Sequence, residues 1–132
     1  MTTVTKMIVI NREPQAVFAF LADGANWPKF SIHNIFSAQP DERNDWIIET
    51  PRGTGLLRLK TNAAFGIVDH EFIDPKEGGW DVPARVVSIG NATAFIATLT
   101  KPEQMTENDF QAGMALFDEE LTTLKRVLET PA

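Results

Sequence analysis

His70 is the residue of this chain best suited to acid–base chemistry. Polar and apolar residues alternate from residue 67 to residue 73, which is typical of a β-strand. The alternation places His70 on the same face as Val68 and Phe72. An inward-facing imidazole can act as a general acid or base, or orient a ligand hydroxyl or carbonyl. A histidine that only hydrogen-bonds within the sheet is the more common case, and both interpretations stay open.

Arg85 is the second candidate, because its planar guanidinium could clamp a carboxylate or a phosphate. It lies in the strand predicted over residues 80–89, which is partly apolar on both faces, so the pattern does not decide its direction. Pointing outward, Arg85 would instead pair with Asp69, Glu71 or Asp81. Such an exposed ion pair contributes about 0–1 kcal/mol to stability.

Sharper catalytic motifs are missing from the sequence. There is no cysteine, which excludes disulfides, thiolate metal sites and a cysteine nucleophile. His33 and His70 are isolated and lack the spacing of metal ligands, so no metal is expected. The Gly-Thr-Gly at residues 53–55 precedes a strand and does not continue into a dinucleotide fingerprint, so no cofactor is expected. The three acidic residues at 118–120 are expected to form a solvated helix face.

Length and charge narrow the classes of function. The 132 residues suit one domain spanning residues 1–132, with an ordinary globular balance of 43% apolar and 23% charged residues. The net charge of −6 would repel nucleic acid and anionic membrane surfaces. The apolar run at residues 7–10 is too short for a signal peptide or a membrane span, so a cytoplasmic protein without membrane insertion is expected.

The strongest structural signal is a long amphipathic helix over residues 106–129, about 36 Å in length. Thr106 is its expected N-cap, with Asp109 in the capping-box position. Gly113 lies about 60° from the centre of the apolar stripe and leaves room either for a cavity or for close helix–sheet packing. The stripe spans an arc of about 80° and consists of Phe110, Met114, Phe117, Leu121, Leu124 and Leu128.

The segments before this helix predict an α+β fold. A strand ending at Ile10 is followed by a helix that starts at Pro14 and ends at Gly24, and by one short helical turn around Trp27. About six strands then alternate with turns between residues 32 and 100, including a loop at residues 74–79. This order predicts a mostly antiparallel sheet.

Three segments carry a pattern that is found in a known superfamily. The segment Pro14-Gln-Ala-Val-Phe-Ala-Phe-Leu-Ala-Asp23, followed by Trp27, has the form P-x-x-V-F-x-x-L-x-D plus tryptophan. Gly66-Ile-Val-Asp-His70 and Pro83-Ala-Arg-Val-Val87 are similar to strand segments of the same proteins. Together with the order of elements, they resemble the START-like, or Bet v 1-like, helix-grip superfamily (SRPBCC), and most closely its bacterial polyketide cyclase/dehydrase-like members. The resemblance covers nearly the whole chain.

The resemblance implies a seven-stranded antiparallel sheet wrapped around the long C-terminal helix, with two short helices after the first strand and a cavity between sheet and helix. The superfamily includes carriers, ligand-gated receptors, aromatase/cyclases and chaperone-activating domains, so function stays open. The first hypothesis is binding of a hydrophobic small molecule, such as a lipid, in the cavity. The second is a cofactor-independent polyketide aromatase/cyclase in which His70 moves protons. The third is a protein-interaction module, and an edge strand also leaves a homodimer open.

A ligand site in that cavity would combine two polar groups with an apolar lining. Ordinary core packing would account equally well for the apolar members. The expected site residues are His70, Arg85, Trp46, Val68, Phe72, Trp80, Phe95, Phe110, Gly113, Met114, Phe117 and Leu121.

Overall fold

The computed structural model describes residues 1–76 and 78–131 of the chain. Within those residues, eight β-strands, two α-helices and two 3₁₀ helices confirm the predicted α+β class. In chain order they are β1 Thr3–Ile10, α1 Pro14–Leu21, a 3₁₀ helix Gly24–Lys29, β2 Ser37–Pro40, β3 Trp46–Thr50, β4 Gly53–Asn62, a 3₁₀ turn Ala63–Phe65, β5 Ile67–Asp74, β6 Gly78–Val82, β7 Ala84–Ile89, β8 Ala92–Thr100 and α2 Glu107–Glu129.

The strands form one antiparallel sheet in the order β1-β8-β7-β5-β4-β3-β2, with β6 also paired to β5. β6 and β7 lie along β5 in one continuous register. Pro83 separates them because proline has no N–H for the ladder. Just beyond it, the N–H of Ala84 donates to the carboxylate of Asp69 at 2.8 Å. Counted as one interrupted strand, β6 and β7 complete the seven strands that the sequence predicts.

The loop predicted at residues 74–79 is shorter in the structure, because β5 continues to Asp74 and β6 begins at Gly78. Glu77, in the middle of the predicted loop, lies outside the described residues. β2 supplies the remaining strand expected between residues 32 and 100.

The two short helical segments pack against different parts of the sheet. α1 contacts β7 and β8, while the 3₁₀ helix Gly24–Lys29 contacts β2. A Cβ on Gly24 would come within 2.3 Å of the Trp46 ring, so only glycine allows this indole to lie against the backbone. Trp27 joins the two segments by donating its indole N–H to the carbonyl of Leu21 at 2.9 Å.

α2 begins as predicted. The Thr106 hydroxyl accepts the N–H of Asp109 at 3.1 Å and so caps the first turn. None of the helices in the described residues is both long and apolar enough to cross a membrane.

One flank of α2 is attached along the edge strand β1. Lys6 pairs with Asp118 at 3.1 Å near the middle of the helix. Closer to its end, Lys125 donates to the carbonyl of Val9 at 2.7 Å, and Glu129 accepts the N–H of Asn11 at 2.7 Å. The residue numbers of the contacting pairs increase together along β1 and α2, so the helix runs parallel to the strand. α2 therefore covers one edge of the sheet.

The stripe of α2 divides into two parts along the helix. Its C-terminal members Leu121, Leu124 and Leu128 are buried and belong to the same core cluster as Val17 and Leu21 of α1. Phe110 and Met114 in the N-terminal half belong to the same cluster and also line the cavity described below.

Candidate functional site

A cavity of about 720 Å³ lies between the inner face of the sheet and the N-terminal half of α2. Its mouth is at the end of the sheet where the β3–β4 turn, the β5–β6 turn and the β8–α2 connection meet. The opposite end of the lining consists of Trp27 and Phe30, together with Ser31, His33 and Asn34 from the segment that follows the first 3₁₀ helix.

Many of the expected site residues line this cavity. The sheet contributes His70 and Phe72 from β5, Trp80 from β6 and Phe95 from β8. One face of α2 contributes Phe110, Gly113, Met114 and Phe117.

Four expected residues lie elsewhere. Val68 and Leu121 are buried in the core and are absent from the cavity lining, because their side chains pack among other apolar groups. Trp46 is turned against Gly24, as described above. Arg85 is exposed on the outer face of the sheet, opposite Ile67 of β5, and does not reach the cavity.

The outward direction of Arg85 follows from its register. Its neighbours Ala84 and Val86 are buried on the inner face, so alternation turns Arg85 away from the cavity. Asp81, one of the three acids expected to pair with Arg85, is bound at 3.0 Å by Lys60.

His70 lies on the inner face of β5, with 5% of its surface exposed. Its Nδ1 is 2.9 Å from the carbonyl oxygen of Val68. Trp27 and Phe72 flank the imidazole edge-on, with ring centroids 4.8 and 5.4 Å away. Burial among these groups lowers the pKa of His70 to about 4, although the Val68 carbonyl and the charge of Asp69 act in the opposite direction. The imidazole is therefore neutral at physiological pH.

Glu120 is a polar residue of the cavity that the sequence analysis placed wrongly. It was expected on a solvated helix face, yet only 2% of its surface is exposed. Its carboxylate accepts the N–H of His33 at 2.9 Å, the amide of Asn34 at 3.1 Å and the hydroxyl of Ser31 at 3.3 Å. Burial raises the pKa of Glu120, and these hydrogen bonds oppose that shift.

Helical geometry explains how Glu120 was missed. It lies about 80° from the centre of the apolar stripe, on the same side as Gly113. α2 attaches to β1 by the opposite flank, on which Asp118 and Lys125 lie. The flank of Gly113 and Glu120 therefore turns toward the cavity, a rotation that the helix sequence alone does not determine.

His33 contributes a second imidazole to the lining of the cavity. Its Nε2 is buried, lies 3.5 Å from a carboxylate oxygen of Glu119 on α2 and makes no hydrogen bond. Among the described residues, no group of three or more His, Asp or Glu side chains is arranged to hold a metal ion.

No protein-family model matches the chain, and no curated protein matches it significantly. Solved structures do match over nearly its whole length. The di-domain ARO/CYC protein BexL, from the BE-7585A biosynthetic pathway, superposes with a TM-score of 0.76 at 14% identity, covering 96% of this chain and 46% of BexL. The Aha1 dimer from Colwellia psychrerythraea gives a TM-score of 0.74 at 17% identity, covering 98% of this chain and 97% of that one.

A START superfamily protein from Mycobacterium smegmatis also matches, with a TM-score of 0.63 at 11% identity, covering 96% of this chain and 97% of that one. The chain has the helix-grip fold. At these identities the likeness concerns the architecture, and the helix-grip neighbours span several kinds of protein.

Proposed function

We propose that this protein binds a hydrophobic small molecule in the cavity between the sheet and α2. The main observation in favour of this proposal is the cavity. Its volume of about 720 Å³ falls within the range of roughly 300–1,000 Å³ that is typical of small-molecule sites. Aromatic and aliphatic side chains from β5, β6, β8 and α2 dominate its lining, so burial of apolar ligand surface would drive binding at ~25 cal/mol per Å².

Gly113 supports a cavity rather than close helix–sheet packing. A Cβ built on this residue would have no atom within 4 Å, so open space lies where a side chain would project. A helix glycine that allowed the sheet to approach would instead have backbone or side-chain atoms nearby, as Gly24 does with the Trp46 ring.

Native mass spectrometry of the purified protein, compared with its denatured mass, tests this proposal. We expect an excess mass that is reproducible and disappears on denaturation, which would give the chemical class of the ligand. The same spectrum separates monomer from homodimer. Absence of any bound mass, together with failure to bind added apolar probes, would contradict ligand binding.

A second candidate function is a cyclase-type enzyme that uses the same cavity. It is favoured by two acid–base groups in one lining, neutral His70 and the buried Glu120. The cavity would fold a linear poly-ketone chain, and His70 would transfer protons during aldol ring closure and loss of water. The test is a linear poly-β-ketone thioester as substrate, with His70→Ala expected to abolish aromatised products while ligand stays bound. Unchanged turnover in His70→Ala would remove the histidine from the mechanism.

An interaction module is the third candidate, and the outer face of the sheet is the observation in its favour. Exposed apolar side chains there include Met7 and Val9 on β1 and Val87 and Ile89 on β7. Replacing the two residues on β1, or the two on β7, with threonine should leave ligand binding unchanged. If this face is a protein interface, the same variants should associate more weakly with the partner or with a second copy of the chain.

A further inference from the structure

Both indole N–H donors in the cavity lining are already engaged with the protein. The indole N–H of Trp80 donates to the carbonyl of Thr100 at 2.8 Å, and that of Trp27 to Leu21 at 2.9 Å. A ligand therefore finds neither indole free.

The polar segment beside α2 is engaged in the same way. The Ser31 hydroxyl and the Asn34 amide both donate to Glu120. Near the mouth, the hydroxyl of Thr50 donates to the carbonyl of Gly53 at 2.8 Å. These donors are therefore not free for a ligand, whereas the ring Nε2 of His33, in the same lining, has no hydrogen-bond partner.

The acceptors of the lining are less fully used. A backbone carbonyl only accepts hydrogen bonds, so the 2.9 Å contact with Val68 places the imidazole proton of His70 on Nδ1. Nε2 is then a lone-pair acceptor on a ring that lines the cavity. In the described part of the chain, the one hydrogen bond of the His70 ring is made through Nδ1, and none is made to Nε2. Glu120 adds a carboxylate to the same lining.

The charges of the lining disfavour an anion. Among the described residues that line the cavity, Arg52 is the only arginine or lysine. It lies at the mouth with 59% of its side chain exposed, 3.9 Å from the carboxylate of Asp74. Asp109 and Glu120 are also in the lining, so a ligand carboxylate within it would be desolvated without a cation beside it.

We propose that the ligand is an uncharged, largely apolar molecule carrying a hydroxyl or N–H group, which donates a hydrogen bond to Nε2 of His70. This inference rests on the proposed ligand-binding function and specifies the chemical class of the ligand. The aromatic rings of Trp27 and Phe72 beside the imidazole exclude competing water and strengthen the preference for one donor at this position.

Three fluorescent probes with one scaffold test the proposal: pyrenebutanol, its methyl ether and pyrenebutyrate. They supply a donor, an acceptor only and an anion, respectively. We expect the delipidated wild-type protein to bind the alcohol about tenfold more tightly than the ether, since the ether leaves Nε2 unsatisfied. We expect the carboxylate to bind at least about tenfold more weakly than the alcohol at pH 7. Fluorescence titration gives all three dissociation constants.

The variant His70→Phe removes the acceptor and keeps an aromatic ring. We expect the alcohol and the ether to bind it within about twofold of each other, with the ether affinity close to wild type. Arg85→Ala, on the outer face of the sheet, is the control and should keep the wild-type order. If His70→Phe does not fold, the three wild-type constants still decide whether the cavity prefers a hydrogen-bond donor, and His70→Leu replaces it as the variant that tests the role of His70.

The possible outcomes distinguish failure of this inference from failure of the proposed ligand-binding function. Equal binding of all three probes, or tightest binding of the carboxylate, would overturn the donor preference and leave ligand binding intact. Discrimination that persists in His70→Phe would overturn the role of His70. Failure of every probe to bind the folded wild-type protein would overturn both proposals.

Discussion

His70 is a neutral hydrogen-bonding group rather than a charged one at physiological pH. The rings of Trp27 and Phe72 lie against its imidazole and solvate a positive charge less well than water does. Because the pKa of His70 is about 4 in the folded protein and 6.5 in the unfolded chain, its imidazole is protonated at a higher pH in the unfolded chain than in the folded protein. A catalytic role for His70 would accordingly begin with proton abstraction by the neutral ring.

The depressed pKa of His70 predicts a pH-dependent contribution to stability. Because the folded-state pKa of about 4 lies below the ordinary value of 6.5, the contribution is present above pH 6.5 and is lost as pH falls toward 4. We expect the wild-type free energy of unfolding to fall by about 3 kcal/mol more than that of His70→Phe across this window. Urea unfolding at several pH values measures the difference, and parallel curves would refute it.

Glu120 connects α2 to the segment after the first 3₁₀ helix, and its removal should be destabilising. In Glu120→Ala the donors of Ser31, His33 and Asn34 lose their common acceptor. We expect a loss of about 2 kcal/mol, since unpaired buried donors outweigh relief of the desolvated carboxylate. The exposed neighbour variant Glu119→Ala is the control, with a change within about 0.5 kcal/mol. Equal effects of the two substitutions in urea unfolding would contradict the assigned role of Glu120.

Phe117 and Leu124 lie on the same stripe of α2 and should respond differently to truncation. Phe117 is partly exposed and lines the cavity, whereas Leu124 is fully buried in the core. We expect Phe117→Ala to weaken pyrenebutanol binding about tenfold and to lower stability by only about 1 kcal/mol. Leu124→Ala should lower stability by about 3 kcal/mol with unchanged affinity. Loss of stability without loss of affinity in Phe117→Ala would argue against ligand contact.

At the scale of the element, α2 has two functions along one helix. Both halves contribute to the core cluster, and the N-terminal half also forms one wall of the cavity. Attachment to β1 through Asp118, Lys125 and Glu129 sets the rotation of the helix about its axis. The same rotation brings Gly113 and Glu120 to the cavity.

Substitutions at Gly113 separate helix stability from cavity volume. Gly113→Ala should raise stability by about 0.5–1 kcal/mol, because alanine favours the helix and its Cβ meets no atom within 4 Å. Gly113→Leu should lower pyrenebutanol affinity at least about tenfold by filling the cavity, without loss of stability.

Gly66→Ala is the matched comparison for Gly113→Ala. Gly66 has φ +65°, and a Cβ there would come within 2.3 Å of the Val86 carbonyl oxygen. We expect a loss of at least about 2 kcal/mol. Thermal unfolding monitored by circular dichroism distinguishes the two glycines, and destabilisation by Gly113→Ala would show that its environment is crowded.

At the scale of the molecule, the sheet has two different faces. The inner face is enclosed by α1 and α2 and contains the cavity, whereas the outer face combines ion pairs with exposed apolar side chains. On that outer face Arg58 pairs with Asp45 at 2.9 Å, and this interaction lowers the pKa of Asp45. Neither Arg58 nor Asp45 is part of the cavity lining, so this pair does not contact a ligand bound there.

Ligand binding should stabilise the whole molecule, because the cavity exists only in the folded chain. Pyrenebutanol at a free concentration of about 100 times its Kd should raise the free energy of unfolding by about 2.7 kcal/mol. That corresponds to a rise in Tm of roughly 8 °C for a domain of this size. Gly113→Leu should show no such rise in differential scanning calorimetry. An unshifted wild-type Tm at saturating probe would contradict binding to the native state.

The sequence by itself determined the features that depend on neighbouring residues. The order of strands and helices follows from turn residues and periodicity, and the start of α2 follows from the Thr106 cap. Alternation along β5 was enough to turn His70 inward with Phe72. These signals depend on residues that are close in sequence, so they can be interpreted without knowing how the rest of the chain packs.

The tertiary structure decided what depends on how elements are rotated and packed against one another. Alternation left the direction of Arg85 open, and pairing of β7 with β5 and β8 turned it outward. The close approach of Gly24 withdrew Trp46 from the cavity. Periodicity defines the stripe of α2, but only its attachment to β1 selects which flank faces inward. For that reason Glu120, at the margin of the stripe, could not be found from the sequence of the helix alone.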